Sequence, residues 1–285
     1  MKEIQGTEFV NLETGEKKII SSYRTVQQEK VYQEKRKREY SRKKSKAFTF
    51  SNMENAKEVI QMLTTMELGY FLVLQTYIDY SNNALVKSTH NPTPMRRRDI
   101  GEILGISNRS HVKKHIDNFL EKGLLIEKII TVGGKEVSSF CINEKYHFKG
   151  KTDNQKVVKA FSEQIRRIYN TNLSKRSKKQ PADMGFLYLI LPYIHYETNI
   201  LCFNPFETNP QAIEALSIVD ICRVTGLDKK NVQAKLNNLK WDGMTVFAKV
   251  IKGRKTHLKV NPFVFYRKDG EPDKSLQTDF LVKGK

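Results

Sequence analysis

The chain repeats itself, and that repetition limits its possible folds more than any other feature. Residues 68–80 read LGYFLVLQTYIDY and residues 184–196 read MGFLYLILPYIHY. Gly69 aligns with Gly185, Tyr77 and Ile78 with Tyr193 and Ile194, Tyr80 with Tyr196, Asn83 with Asn199, and Leu85 with Leu201. The match resumes with DIGEILG at 99–105 against DICRVTG at 220–226. NRSHVKKHIDNFLEKG, ending at Gly123, then faces KKNVQAKLNNLKWDG, ending at Gly243. GGK at 133–135 faces GRK at 253–255, and Ile142-Asn143 faces Val260-Asn261. Matches in one order at nearly constant spacing describe one structural unit used twice.

Each copy has the same grammar. An apolar helix comes first, and its apolar positions run nearly all round, which predicts a buried spine. In copy one Thr64 and Glu67 stand at capping-box spacing ahead of it; in copy two Pro192 is expected to kink or break it. Short helices, Arg97–Leu104 and Ile218–Thr225, end at Gly105 and Gly226, residues suited to the left-handed turn that closes a helix. Ser107 and Asp228 are the expected caps of the next helix. That helix buries Val112, Ile116 and Phe119 in one copy and Val232, Leu236 and Leu239 in the other, and Gly123 and Gly243 are expected to stop it. β-rich runs at Leu125–Val132 and 136–142, and at 245–251 and 256–260, flank glycines and read as hairpins. The fold class expected is α+β, mainly helical, with two tandem winged helix-turn-helix domains. The expected boundaries are a basic N-terminal arm at 1–50, one domain at 51–150, a second at 151–270 opening with a helix at 155–169, and a C-terminal tail at 271–285.

RRDIGEILGISNRSHVKKHIDNFLEKGLLIEKIITVGGKE resembles winged-helix domains of bacterial regulators and of plasmid and phage replication proteins. The opening GTEFVNLETGEKK and the later INEKYHFKG are similar to segments of small replication proteins of Gram-positive plasmids. The tandem arrangement resembles plasmid initiators with two winged helices. The resemblance covers roughly residues 55–150 well and 155–270 more loosely, and its generic motifs point to a fold and a ligand class, since function does not follow from fold alone. It implies a sequence-specific double-stranded DNA-binding protein of a phage or plasmid, a replication initiator binding origin repeats. The alternative is a transcriptional regulator at promoter operators; an RNA-binding or architectural role is a third reading. Host replication or transcription proteins would be further partners, and monomer and dimer are both left open.

Charge supports a polyanionic partner independently. Fifty Lys and Arg stand against 31 Asp and Glu, a net charge of +19, which is the electrostatic footprint of nucleic-acid binding. With Val112, Ile116 and Phe119 turned inward, the opposite face of that helix shows Asn108, Arg109, Ser110, Lys113, Lys114 and Asp117. A recognition helix reads base edges with its N-terminal half. Arg109 suits guanine and Asn108 adenine, while Ser110, Lys113 and Lys114 suit phosphates. The second copy offers Lys229, Lys230, Gln233 and Asn237, with Gln233 the base reader. The wing tips add Lys135 in copy one and Arg254, Lys255 and His257 in copy two. The run KRKREYSRKKSK at 35–46 adds Lys35, Arg36, Lys37, Arg38, Arg42, Lys43 and Lys44, which would track the phosphate backbone; SKRSKKQ at 174–180 is a second basic stretch. A solvated helix face and a solubilising tail are the plain alternatives.

Nothing in the sequence asks for catalysis, a cofactor or a metal. His111 and His115 share a helix side, but HVKKH lacks the Glu of HExxH, and there is neither a His-x-His pair nor a GxxxxGK[ST] phosphate loop. Cys141, Cys202 and Cys222 form no CxxC and suit a reducing cytoplasm. MKEIQGTEFVNLETGEKK lacks the apolar stretch of a signal peptide. The longest apolar run, 184–194, carries Pro192 and falls short of the roughly 20 residues that span a bilayer. A soluble cytoplasmic protein is expected.

Overall fold

The first apolar helix begins where Thr64 and Glu67 place it. The Thr64 hydroxyl accepts the Glu67 N–H at 3.4 Å and the Glu67 carboxylate accepts the Thr64 N–H at 3.0 Å, a reciprocal cap that satisfies two otherwise orphaned donors. The computed structural model describes residues 2–10, 14–15, 17–23, 47–80, 82–88, 92–132, 134–154, 156–173, 180–252, 255–272 and 274–281. The chain divides into two units, Met1–Ser45 and Lys46–Lys285. In the first, β1 (Lys2–Val10) pairs antiparallel with β2 (Lys17–Tyr23), with a register shift between Glu3 and Thr7. The sequence reading assigns this arm no strand. The basic run at 35–46 lies outside the described residues.

The second unit runs through one order of elements twice. β3 (Phe48–Asn52) leads to α1 (Met53–Met62), α2 (Thr65–Leu74), α3 (Arg97–Leu104), α4 (Arg109–Glu121), the hairpin of β4 (Leu125–Val132) and β5 (Lys135–Ile142), and β6 (His147–Phe148). The order restarts with β7 (Val157–Phe161), α5 (Ser162–Leu173), α6 (Gln180–Ile190), α7 (Ile218–Thr225) and α8 (Lys229–Asn238). A small extra hairpin follows, β8 (Lys240–Trp241) with β9 (Met244–Thr245). The hairpin of β10 (Phe247–Lys252) and β11 (Lys255–Val260) and then β12 (Phe265–Tyr266) complete the second round. The architecture is α+β, helices with small antiparallel sheets. Among the described residues no helix is long and apolar enough to cross a membrane.

The two rounds share one sheet and one core. The central sheet has the order β12-β7-β3-β6. Exchanging β3 and β7 maps the pair Thr49↔Ala160 onto Ser51↔Val158 and leaves Phe50↔Lys159 on itself. The outer pairs obey the same exchange, Phe50↔Phe148 with Tyr266↔Lys159 and Ser51↔His147 with Phe265↔Ala160. A local twofold axis therefore passes between Phe50 and Lys159. Leu68 through Leu74 on α2 and Met184 through Ile190 on α6 are all buried, as spine helices apolar all round must be.

Side-chain hydrogen bonds repeat as well. Asn83 and Asn199 both hold left-handed backbone, φ 56° and 55°, a conformation Asn tolerates better than most residues. Asn83 Nδ2 donates to the Ile142 and His147 carbonyls at 3.3 and 2.8 Å. Asn199 Nδ2 donates to the equivalent Val260 and Phe265 carbonyls at 3.2 and 2.6 Å. Each asparagine thus ties the loop after its spine helix to the far end of its hairpin.

Several local expectations are corrected. The stretch 155–169 is not one helix, because Val157–Phe161 is a strand whose residues are all buried, held between β3 and β12. Pro192 does not cause the break after α6. Both spine helices tighten into a 3-10 turn, Leu191–Tyr193 in one copy and Gln75–Tyr77 in the other, and the latter has no proline. Pro192 sits at the start of its turn, where a missing N–H costs little. Asn108, not Ser107, caps α4, its Oδ1 accepting the Ser110 and His111 N–H groups at 2.9 and 3.4 Å. Gly243 does not stop α8, which ends at Asn238. It shares with Asp242 the tight turn of the extra hairpin, both at positive φ, as a two-residue primed turn requires. The true counterpart of Gly123 is Thr245, since Asn143 Nδ2 donates to the Gly123 carbonyl at 2.8 Å and Asn261 Nδ2 to the Thr245 carbonyl at 2.9 Å. In the expected tail, Lys274–Phe280 forms a 3-10 helix with Phe280 buried.

Candidate nucleic-acid interface

α4 and α8 are mounted on the spine helices by equivalent polar contacts. In the first copy Glu67, near the start of α2, accepts from Asn118 Nδ2 at 2.9 Å and lies 3.5 Å from His115 Nδ1. In the second, Asp183 holds Lys235 at 2.6 Å. Burial pushes the Glu67 pKa up, but the Thr64 N–H and hydroxyl, with His115 and Lys122 nearby, outweigh it and hold the carboxyl below its usual range. Below each helix lies its apolar footing, Val112, Ile116 and Phe119 in α4 and Val232 and Leu236 in α8, with Leu239 buried just beyond. Gly101 lets α3 approach α4: a Cβ there would lie 2.7 Å from a Val112 methyl. Gly105 and Gly226, both at φ 67°, turn the chain between the paired helices.

This mounting leaves the other faces of α4 and α8 uncovered. Arg109, Ser110, His111, Lys113 and Lys114 are exposed, as are Lys229, Lys230, Gln233 and Asn237. Lys113 reaches Asp117 at 2.6 Å, and Arg97 meets the same carboxylate at 2.7 Å. Lys113 first and then Arg97 depress the Asp117 pKa, so the carboxylate beside this face is countered by two cations. Asn108 is exposed, but its Oδ1 serves the cap, which takes away the acceptor of the expected bidentate contact with adenine. His111 and His115 part ways: the first is exposed, and the second turns in against Tyr70, ring centroids 5.1 Å apart.

The first turns of these two helices differ from those of every other described α-helix. Elsewhere the first turn carries an acid: Glu54, Glu67, Asp99, Glu163, Asp183 and Asp220. That is the arrangement favoured by the partial positive charge of a helix N-terminus. α4 and α8 have none there; they have Arg109 and Lys229 with Lys230 instead, and at α8 the acid stands one position earlier, as the Asp228 cap that accepts the Asn231 N–H at 2.8 Å. Cations at a positive helix end work against helix stability and gather positive potential where an external anion is best bound.

The hairpins differ in charge. β4 and β5 carry Glu127, Lys128, Lys135 and Glu136. β10 and β11 carry Lys249, Lys252, Lys255 and Lys259 and no carboxylate. Lys135 is exposed at its tip. Arg254 lies outside the described residues, as do Lys35, Arg36, Lys37, Arg38, Arg42, Lys43, Lys44 and the basic stretch before α6; of Lys255 only the backbone position on β11 is described. His257 is half-buried and alternates to the other face of β11 from Thr256. Beside α8 a cleft of about 360 Å³ is rimmed by Lys229, Gln233, Lys249 and Thr256 over Leu216 and Leu258. The fold thus brings Lys229 and Gln233 together with the hairpin. Asn237 lines a separate cleft of about 340 Å³ beneath Leu281. Sequence reasoning missed Lys249 and Thr256; strand alternation from the buried Phe247 and Leu258 was the signal that would have found them.

Comparison with known protein families, with characterised proteins and with solved structures gives no match to this chain.

Proposed function

We propose that the chain is a sequence-specific duplex-DNA-binding protein whose two copies are winged helix-turn-helix units, and that it acts as a replication initiator of a phage or plasmid at origin repeats. The observation that carries the reading is the pair of uncovered cationic helix faces: α4 and α8 alone among the described α-helices lack an acid within the first turn and present Arg109, or Lys229 and Lys230 next to the Asp228 cap, at an uncovered face. A net charge of +19 supplies the long-range attraction such a face would focus. The twofold relation between the copies supports a two-part site. One chain would set α4 and α8 in successive major grooves about 10.5 base pairs apart, in opposite senses, without a second chain. Because the exposed residues of the two helices differ, the two halves of the site would differ in sequence.

A regulator would use the same face, and the place of binding separates the two. Mapping the DNA bound by the full chain in its host is the test. Occupancy of an origin carrying iterated repeats supports the initiator, occupancy of promoters supports the regulator, and no enrichment of any duplex site overturns both.

A further inference from the structure

The two hairpins have diverged at nearly every position. Their registers, Leu125↔Ile142 and Phe247↔Val260, superpose β4 on β10. Along the superposed strand residues LIEKII and FAKVIK, the single identity is Ile129 with Ile251. Among the described residues these isoleucines are also the most exposed large apolar side chains, at 72% and 77%. A solvated strand position gains nothing from isoleucine that threonine would not supply, since both are β-branched. Keeping two such side chains in water instead makes them available for burial against a partner.

Their direction points to the partner. Ile129 shares a strand face with Glu127, whose carboxylate lies 3.9 Å from Arg97 on α3. Ile251 shares a face with Lys249, which rims the cleft opposite Lys229 and Gln233 of α8. Both isoleucines therefore lie on the side of the hairpin that looks toward its helix pair, beyond the polar residues nearest that pair. Opposite them on the returning strand stand Ser138 and Thr256, small side chains that leave the isoleucines prominent. Lys249 on the same face of β10 and Lys229 across the cleft on α8 place positive charge on the side of the hairpin that carries the second isoleucine, which suits a polyanion and opposes a second copy of the same hairpin.

We propose that Ile129 and Ile251 are apolar wedges that enter the minor groove of duplex DNA and part a base step, bending the duplex beside each recognition helix; this rests on the duplex-DNA reading above. Apolar side chains inserted from a protein into the minor groove unstack neighbouring base pairs and kink DNA by about 20–90°. Two wedges related by the internal twofold axis would bend one duplex from two places, and alternating A·T steps, which deform most readily, would accept them best.

The test uses the full chain and an alternating A·T duplex of about 30 base pairs with a donor and an acceptor dye at its ends. Wild-type protein is expected to bind and to raise energy transfer. The double variant I129T/I251T, which keeps β-branched residues on both strands, is expected to bind within about tenfold of wild type without raising transfer, because the unstacking is no longer incurred. I129M/I251M, apolar again, is expected to restore the rise. Binding by wild type without bending, or bending unchanged in the threonine variant, overturns the wedge and leaves the DNA reading in place. A threonine variant that sediments differently from wild type reassigns the isoleucines to contact between copies and also overturns it. No binding of any duplex by wild type overturns the DNA reading and the wedge together.

Discussion

Gly69 on α2 and Gly185 on α6 each lie against the backbone of the other's helix. A Cβ placed on Gly69 would come 1.7 Å from the Pro181 carbonyl oxygen, and one on Gly185 would come 1.7 Å from the Thr65 carbonyl oxygen. Thr65 and Pro181 are themselves equivalent in the repeat, so the contact is reciprocal across the internal axis. The two spine helices cross with no side chain between them at this point. Either copy's glycine alone would be unremarkable in a helix; together they set the distance between the two halves of the core.

Alanine at either position cannot be absorbed by a rotamer change, because the obstacle is backbone. G69A and G185A are each expected to cost about 3 kcal/mol or more, at or above the usual range for overpacking a core. G150A, where a Cβ would meet nothing within 4 Å, is expected to stay within about 0.5 kcal/mol. Urea unfolding monitored by circular dichroism separates these outcomes, and equal midpoints for all three variants would contradict the close crossing.

His147 makes stability depend on pH. Its ring is buried, with Nδ1 3.0 Å from the Ser51 hydroxyl and Nε2 3.1 Å from the Tyr188 hydroxyl, while Ser51 donates to Gln75 Oε1 at 2.9 Å. A neutral imidazole with its hydrogen on Nδ1 satisfies this chain, and burial lowers its pKa to about 3. The unfolded chain takes up that proton near its ordinary value of about 6.5. Stability from this group is therefore complete above that value and falls as pH drops from there toward 3, by up to about 1.4 kcal/mol per pH unit. H147Q is expected to lose about 1–3 kcal/mol at neutral pH and to show a shallower decline between pH 6 and 4. Parallel slopes for the two proteins would remove His147 from the account.

Neutralising Arg109, Lys113 and Lys114 together is expected to weaken binding to the specific site far more than to random duplex, because a bidentate contact with a base carries about 1–3 kcal/mol of discrimination. The corresponding triple change at Lys229, Lys230 and Gln233 is expected to act on the other half of the site. Competition titrations with each half-site altered in turn check this; equal losses on specific and random DNA would deny both helices a part in reading sequence.

Affinity for duplex DNA is expected to fall steeply with salt. Contact with about six to ten phosphates gives a slope of about −5 to −9 in log K against log salt concentration. Removing Lys249 by K249A is expected to lower the magnitude of that slope by about one. A slope near zero would leave the charge of the chain without a role in binding.

Much of this arrangement is legible in the amino-acid sequence. The Thr64–Glu67 cap, the turns at Gly105 and Gly226, and the inward rows Val112–Ile116–Phe119 and Val232–Leu236 follow from local chemistry, which acts over a few residues and leaves its mark in spacing. The errors have a common source. Val157–Phe161 reads as helix in sequence because its partners, β3 and β12, are more than a hundred residues away along the chain. Gly243 matches Gly123 in sequence because both follow a helix, and the β8–β9 pairing with the hydrogen bonds of Asn143 and Asn261 shows that an extra hairpin has been inserted. The cap of α4 reads as Ser107 in sequence and is Asn108 in the structure, a difference of one residue in where the helix starts.

What the amino-acid order determined by itself is the unit: its helices, its turns, its hairpin and the fact that it occurs twice, since each depends on periodicity and capping within a short stretch. The tertiary structure decided how the copies meet. Reciprocal glycines, one sheet drawn from both rounds and a core with no boundary between them join the copies about an internal axis, because close packing is a property of surfaces distant in sequence. That meeting, together with the polar mounts at Glu67 and Asp183, decides which sides of α4 and α8 remain open to solvent.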